Sequence, residues 1–124
     1  MDYPTKELLK FILDSIAQIR FTFSQVEEVD DLLEGPEAIM RLDAISMRLQ
    51  AIGETIKNIQ KHEPALLTSV APKEYWSDIA KMRDIISHHY INIDAEVVYD
   101  VCKNELDKLE AYIKQLFDAA TPSP

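Results

Sequence analysis

Apolar residues recur along this chain at helical intervals. Leu9, Ile12, Ile16, Ile19 and Phe23 are spaced 3, 4, 3 and 4 residues apart, which places them on one face of an amphipathic helix from about Thr5 to Val26. Gly35-Pro36 interrupts the pattern, and the proline suits a first helical turn because its missing N–H would find no partner there anyway. Leu42, Ile45, Leu49, Ile52, Ile56 and Ile59 follow at 3, 4, 3, 4 and 3. A repeat averaging about 3.5 residues is the seam of a helix that packs lengthwise on another long helix. From about Lys61 to Glu74 the pattern fades, and Pro64 and Pro72 restrict that connector to a short helix. Trp76, Ile79, Met82 and Ile86 mark a third helix that fades near His88. Asn92 and Asp94 then offer N-cap side chains to a fourth, which carries Val98, Cys102, Leu106, Leu109, Ile113 and Leu116. The tail Thr121-Pro122-Ser123-Pro124 cannot prolong it, and a frayed end is expected from about residue 120. No stretch alternates with period 2. The expected architecture is all-α: an up-and-down bundle of four main helices plus a short connector helix, in a single domain spanning residues 1–124.

Composition agrees with that reading and narrows the function. A chain of 124 residues, 47% hydrophobic and with only 2 glycines, has the size and make-up of one packed domain rather than a turn-rich β fold. No run of apolar residues is long enough to span a membrane, no secretory signal is visible, and one cysteine cannot form an internal disulfide, so the cytoplasm is the default location. The formal net charge of −9 speaks against generic neutralisation of long nucleic acid. Much of that charge sits between Ser24 and Met40, where Glu27, Glu28, Asp30, Asp31, Glu34 and Glu37 occur without a Lys or Arg. A solvated connection near the start of the next helix explains such a run most simply, and a contact surface for a basic partner is the alternative.

Most signatures of catalysis are missing. There is no Gly-rich phosphate loop, no paired-cysteine zinc pattern and no H-E-x-x-H, and Cys102 falls on an apolar stripe that marks it as core. His88 and His89 are neighbours that point in different directions on a helix, so no metal site is expected. What stands out is Arg83-Asp84-Ile85-Ile86-Ser87-His88-His89-Tyr90, a fixed cation, an imidazole and a phenol at the end of an apolar helix. At about 100° per residue Arg83 and Tyr90 nearly share a face, whereas His88 lies about 140° from Arg83. Convergence of all three therefore requires the helix to end or bend near His88, and the turn Ile91-Asn92-Ile93-Asp94 is a suitable place. From residue types alone, a helix C-terminus decorated with groups that complement its dipole remains an open reading.

The segment reads R-x-x-x-x-H-x-Y and resembles the signature of the HepT-like ribonuclease toxins of the HEPN superfamily. The resemblance extends further: Gln50-Ala51-Ile52-Gly53-Glu54-Thr55-Ile56-Lys57 is similar to the family's Gly-Glu element on the second helix, Tyr75 to Arg83 is similar to its Trp-to-Arg lead-in, and Val97 to Leu109 is similar to its final helix. These elements stand in order over most of the chain. The resemblance implies a dimerising HEPN-like bundle and metal-independent cleavage of RNA without a cofactor, with Arg83 and His88 in the catalytic positions. The residue types suit that chemistry. An imidazole titrating near neutrality can take the proton of the ribose 2′-hydroxyl or protonate the leaving 5′-oxygen, and an arginine can stabilise the charge that grows on phosphorus. Asp84 is expected to orient Arg83 or His88, or to remain a solvated acid. Because one chain supplies one matched histidine, the resemblance implies a homodimer that shares Arg83 and His88 across a groove, with nearby Lys81 adding positive charge. His89 and His62 are the rival second groups.

In the same family the tyrosine matching Tyr90 receives AMP units from an MntA-type nucleotidyltransferase antitoxin. Added phosphates there would pair with the cations meant for substrate and switch the toxin off. A tyrosine that only packs at the helix end is the simpler alternative. Gly53 is costly in a helix interior and predicts close approach of another backbone; Glu54 is expected to pair with an unspecified basic residue near the groove. A catalytically idle helical module that binds a nucleotidyltransferase or nucleotide as a regulatory subunit is the competing functional reading, and the acidic net charge favours it.

Overall fold

The computed structural model describes residues 4–88 and 94–120, with 85–88 described by their helical backbone. Helix α1 spans Thr5–Phe23, a single 3₁₀ turn spans Val29–Leu32, α2 spans Pro36–His62, the short α3 spans Pro64–Thr68 and α4 spans Lys73–His88. Helices α5 (Ala95–Asp100) and α6 (Leu106–Ala119) are joined without a break by a π-helical turn, Val101–Glu105. No strand occurs among the described residues, so the all-α bundle with a short connector helix is as the periodicity predicts.

The apolar stripes account for the packing. All six residues of the α2 stripe are buried, as are all six from Val98 to Leu116, and both join Leu9, Ile12, Ile16 and Ile19 of α1 in one continuous core. Neighbouring helices run antiparallel. Thr5 Oγ1 at the start of α1 donates to the Glu63 carboxylate just past the end of α2, while Arg48 donates to Gln18 Oε1 at 3.2 Å nearer the other end. Helix α6 lies along the opposite side of α1, where Arg20 Nη2 reaches Asp107 at 2.7 Å and Glu110 at 3.0 Å. Helix α4 packs on α2, and Gln60 Nε2 donates to Ser77 Oγ at 3.1 Å. Tyr75 meets Trp76 and Tyr112 edge-on, with ring centroids 5.0 and 5.1 Å apart, and Trp76 meets Tyr112 at a tilt with centroids 6.0 Å apart, which closes the ring between α4 and α6. Trp76 is fully buried, and its indole N–H donates to the Leu67 carbonyl at 2.7 Å, which ties α4 to the connector helix.

Element ends differ from expectation for local reasons. Helix α1 stops at Phe23 rather than Val26 because Ser24 Oγ donates to the Phe21 carbonyl at 2.6 Å and the following amides tighten onto residues three back. The connector starts at Glu63, so His62 closes α2 instead of lying in the loop. Pro64 disfavours a helical backbone at Glu63, whose dihedrals of −140° and 60° lie outside the α region. Gly35 enters α2 with φ of 97°, a conformation that side chains with a Cβ rarely adopt. Asp94 caps α5 as expected, its Oδ1 accepting from the amides of Glu96 and Val97. Asn92 and the tail Thr121–Pro124 lie outside the described residues.

The π-helical turn solves a spacing problem. Val98, Cys102 and Leu106 are four residues apart twice in succession, and on a regular helix two such steps rotate the stripe by about 80°. A π turn holds an extra residue and returns all three to the core. Cys102 lies within it, and burial pushes its thiol up to about 12, the state of an inert core group.

The acidic connection is also structured. Asp31 Oδ2 accepts from the amides of Glu27 and Glu28 at 2.8 and 3.2 Å, which holds its carboxyl below the usual carboxylate range, and Arg41 donates twice to the Asp31 carbonyl. Glu37 lies in the first turn of α2, where negative charge complements the helix dipole.

The two backbones of α2 and α4 come close at Gly53. A Cβ built there lies 3.0 Å from the Arg83 amide nitrogen, 3.2 Å from the Ala80 carbonyl oxygen and 3.2 Å from the Arg83 Cβ. The expected close approach is thus between α2 and α4 at Arg83. Gly53→Ala gains about 1 kcal/mol of helix propensity but overpacks a backbone contact, which costs about 1–3 kcal/mol, so a net loss of about 1 kcal/mol and a melting temperature lower by about 4 °C are expected. Thermal unfolding followed by circular dichroism measures this, and a variant more stable than the parent refutes the constraint.

Candidate active site at the α2–α4 contact

Arg83 owes its position to two backbones held close together. With no side chain at Gly53, α4 settles onto α2 and brings the arginine alongside Glu54, one residue further along α2. Arg83 Nε forms an ion pair with Glu54 Oε2 at 2.9 Å, and Arg83 Nη1 stands 3.6 Å from Asp84 Oδ1. The Glu54 carboxylate is 60% exposed and the Arg83 side chain 31%, so water screens the pair and its main effect is geometric. Carboxylates beside Nε and Nη1 restrict where the guanidinium lies, and an arginine held in this way can still donate to a phosphate. The basic partner expected for Glu54 is Arg83.

The remaining predicted groups divide into those the structure brings near Arg83 and those beyond its description. His88 lies on α4 five residues, about 7.5 Å of helix axis, beyond Arg83, and its side chain is outside the described residues. Tyr90 and His89 lie outside the described residues altogether, as does the turn Ile91–Ile93. Lys81 is exposed on α4. His62 ends α2 eight residues from Glu54, about 12 Å along the axis, and lines an open groove with Glu54, Lys57, Asn58 and Lys61. That groove, about 270 Å³, was not singled out from the sequence, although its residues recur at i, i+3, i+4, i+7 and i+8 and so declare one helix face. Among the described residues no three of His, Cys, Asp and Glu are grouped to hold a metal ion, and no described helix is long and apolar enough to cross a membrane.

Comparison with known proteins adds to this geometry. Residues 12–116 match the family model described as Ribonuclease HepT-like. A protein named "Putative RNase MJ0127" from Methanocaldococcus jannaschii is 25% identical over 119 residues, covering 91% of this chain and 93% of its own length. A longer protein of the same organism, named "Gamma-glutamylcyclotransferase and putative RNase MJ0434", is 27% identical over 91% of this chain and 47% of its own length. One named "Probable ribonuclease HepT" from Thermococcus cleftensis is 30% identical over 59% of this chain and 63% of its own. No solved structure matches significantly. With the family model covering both helices of the Gly53 contact, the seated arginine of the R-x-x-x-x-H-x-Y segment and nearly the whole bundle, the chain belongs to the HepT-like ribonuclease family.

Proposed function

We propose that this chain is a metal-independent endoribonuclease, the toxin of a type VII-like toxin–antitoxin pair, and that Arg83 and His88 carry the cleavage. The observation that supports this reading most is the Glu54–Arg83 ion pair at 2.9 Å, which holds an arginine at the α2–α4 contact on the helix that bears His88, in a chain of this family. The ribose 2′-hydroxyl attacks the adjacent phosphorus as an imidazole takes its proton. The bond from phosphorus to the 5′-oxygen breaks, and a second acid protonates that oxygen. The products are a 2′,3′-cyclic phosphate and a 5′-hydroxyl. Arg83 donates to the non-bridging oxygens as charge accumulates on them, and Glu54, held on Nε, is a positioning residue. His88→Ala and Arg83→Ala are each expected to lower RNA cleavage in EDTA by about 10²-fold or more without changing the helical circular dichroism. Cleavage that disappears in EDTA and returns with a divalent metal refutes the metal-free route. A parent protein that cleaves no RNA yet binds a nucleotidyltransferase supports the idle-module reading favoured by the −9 charge.

A homodimer supplies the second acid–base group. Met40 and Met47, 69% and 71% exposed, precede Glu54 at seven-residue intervals on α2 and so nearly share its face. Exposed apolar groups in line with the site suit a surface on which a second copy brings its own Arg83 and His88 to the groove. Met40→Glu with Met47→Glu is expected to shift the sedimenting species from dimer to monomer and to reduce cleavage in parallel. An active monomer at assay concentration excludes the shared groove.

Tyr90 is the control point in this reading. AMP units on its hydroxyl would bring phosphates to the cations that bind substrate, blocking the groove by charge and bulk. Incubation with an MntA-type nucleotidyltransferase and ATP is expected to add AMP masses at Tyr90 and to suppress cleavage in proportion, whereas Tyr90→Phe resists neutralisation. Mass added at Tyr75, Tyr99 or Tyr112 instead, or a Tyr90→Phe variant neutralised as fully as the parent, overturns covalent control at this residue.

A further inference from the structure

The charge around Arg83 does not by itself favour a polyanion. Within one chain the guanidinium lies near two carboxylates, Glu54 at 2.9 Å and Asp84 at 3.6 Å, on a molecule of net charge −9. Positive charge appears on one side of that cluster. The α2 face that carries Glu54 continues through Lys57, Asn58, Lys61 and His62, which together line the open groove of about 270 Å³. Lys57, Asn58, Lys61 and His62 are all exposed. Glu54 is the one carboxylate lining the groove, and it is bonded to Arg83. Glu63, just past the groove, accepts the hydroxyl of Thr5.

The direction of this face is informative. Helices α2 and α4 are antiparallel, because Gly53 meets Ala80 and Arg83 while Gln60 meets Ser77. From Arg83, α4 therefore runs toward His88 in one sense along the axis, and the Lys57–Lys61 face of α2 runs in the other. Lys57 and Lys61 are four residues apart, one above the other and separated by about 6 Å of helix axis, a span comparable with that between successive phosphates of an extended strand.

We propose that Lys57, Asn58, Lys61 and His62 form a phosphate-binding track for single-stranded RNA, taking the strand that flanks the bond cleaved at Arg83 and His88. This inference rests on the ribonuclease reading above. Lysines act here as point charges on successive phosphates, with the Asn58 amide as a neutral donor between them, and contacts of this kind hold any sequence. The track offsets the carboxylates beside Arg83 and makes the enzyme prefer an oligonucleotide over a dinucleotide, whose single phosphate occupies Arg83 alone.

The test uses the whole protein and a fluorescent 12-nucleotide RNA, 2′-O-methylated so that it cannot be cut, with affinity measured by anisotropy across a series of KCl concentrations. Replacing Lys57 and Lys61 together by alanine is expected to weaken binding about tenfold and to flatten the plot of log affinity against log salt by about 1.4, or about 0.7 per lost phosphate contact on a single strand. Lys57→Arg with Lys61→Arg retains the slope. Lys10→Ala with Lys114→Ala changes net charge equally on α1 and α6 and leaves the slope as in the parent. On cleavable RNA, the ratio of kcat/KM for the oligonucleotide to that for a dinucleotide falls about tenfold in the Lys57/Lys61 variant. An unaltered slope, an equal loss in the Lys10/Lys114 control, or a parent without affinity for the oligonucleotide overturns the track. A parent that binds with the predicted slope but does not cleave refutes the ribonuclease reading and leaves the track supported.

Discussion

The approach of α4 to α2 at Gly53 is the contact on which the rest of the site depends. Two helices with ordinary side chains at a crossing keep about 8–10 Å between their axes, and a missing Cβ lets them come closer. Here the space of the absent methyl group borders the very residue whose side chain is in question, since the nearest atoms are the Arg83 amide nitrogen, the Ala80 carbonyl oxygen and the Arg83 Cβ. Glu54 follows Gly53 directly, so the same turn of α2 that admits α4 also presents a carboxylate to the arginine. A wider crossing would separate the pair and release the guanidinium to adopt several rotamers. Packing and electrostatics therefore act on one side chain from adjacent residues.

An acidic protein that handles a polyanion has to arrange its charges rather than accumulate them. Several cations are committed elsewhere: Arg20 to Asp107 and Glu110, Arg41 to the carbonyl of Asp31, and Arg48 to Gln18. Asp31, in the middle of the acidic run, is occupied by amides of its own turn and stabilises local structure. Against that background the proposed track needs only the two lysines of the α2 groove, Lys57 and Lys61. Local potential close to a surface, and not net charge, governs where a screened anion settles, because salt confines each charge to about 8–10 Å.

Much of this was legible in the sequence, and the exceptions have a common cause. The α2 seam was readable because its 3, 4, 3, 4, 3 spacing has no other use than burial, and all six residues are buried. Gly53 announced a close approach but not the identity of the neighbour, since the register of α4 against α2 is set by the connector and by the lodging of Trp76 under Leu67. The partner of Glu54 was hidden for the same reason. The two successive four-residue steps from Val98 to Leu106 are the sequence trace of the π turn, since a regular helix would rotate them off the core. Lys57 and Lys61 carry no signal of their own in the sequence, and only the groove they share with Glu54, the ion-pair partner of Arg83, distinguishes them. The segment from Arg83 to Tyr90 stands out by residue type and not by period, because groups that carry chemistry need not follow an apolar stripe.

The chain's one tryptophan, Trp76, lies seven residues before Arg83, two turns down the same face of α4. It is sealed from water, hydrogen-bonded to the connector and packed against two tyrosines, Tyr75 edge-on and Tyr112 at a tilt. An indole in such surroundings emits at short wavelength and shifts to the red as soon as water reaches it. The intrinsic fluorescence of this protein is consequently a local optical gauge, which reports whether the helix that bears the arginine is seated rather than whether the bundle as a whole is folded.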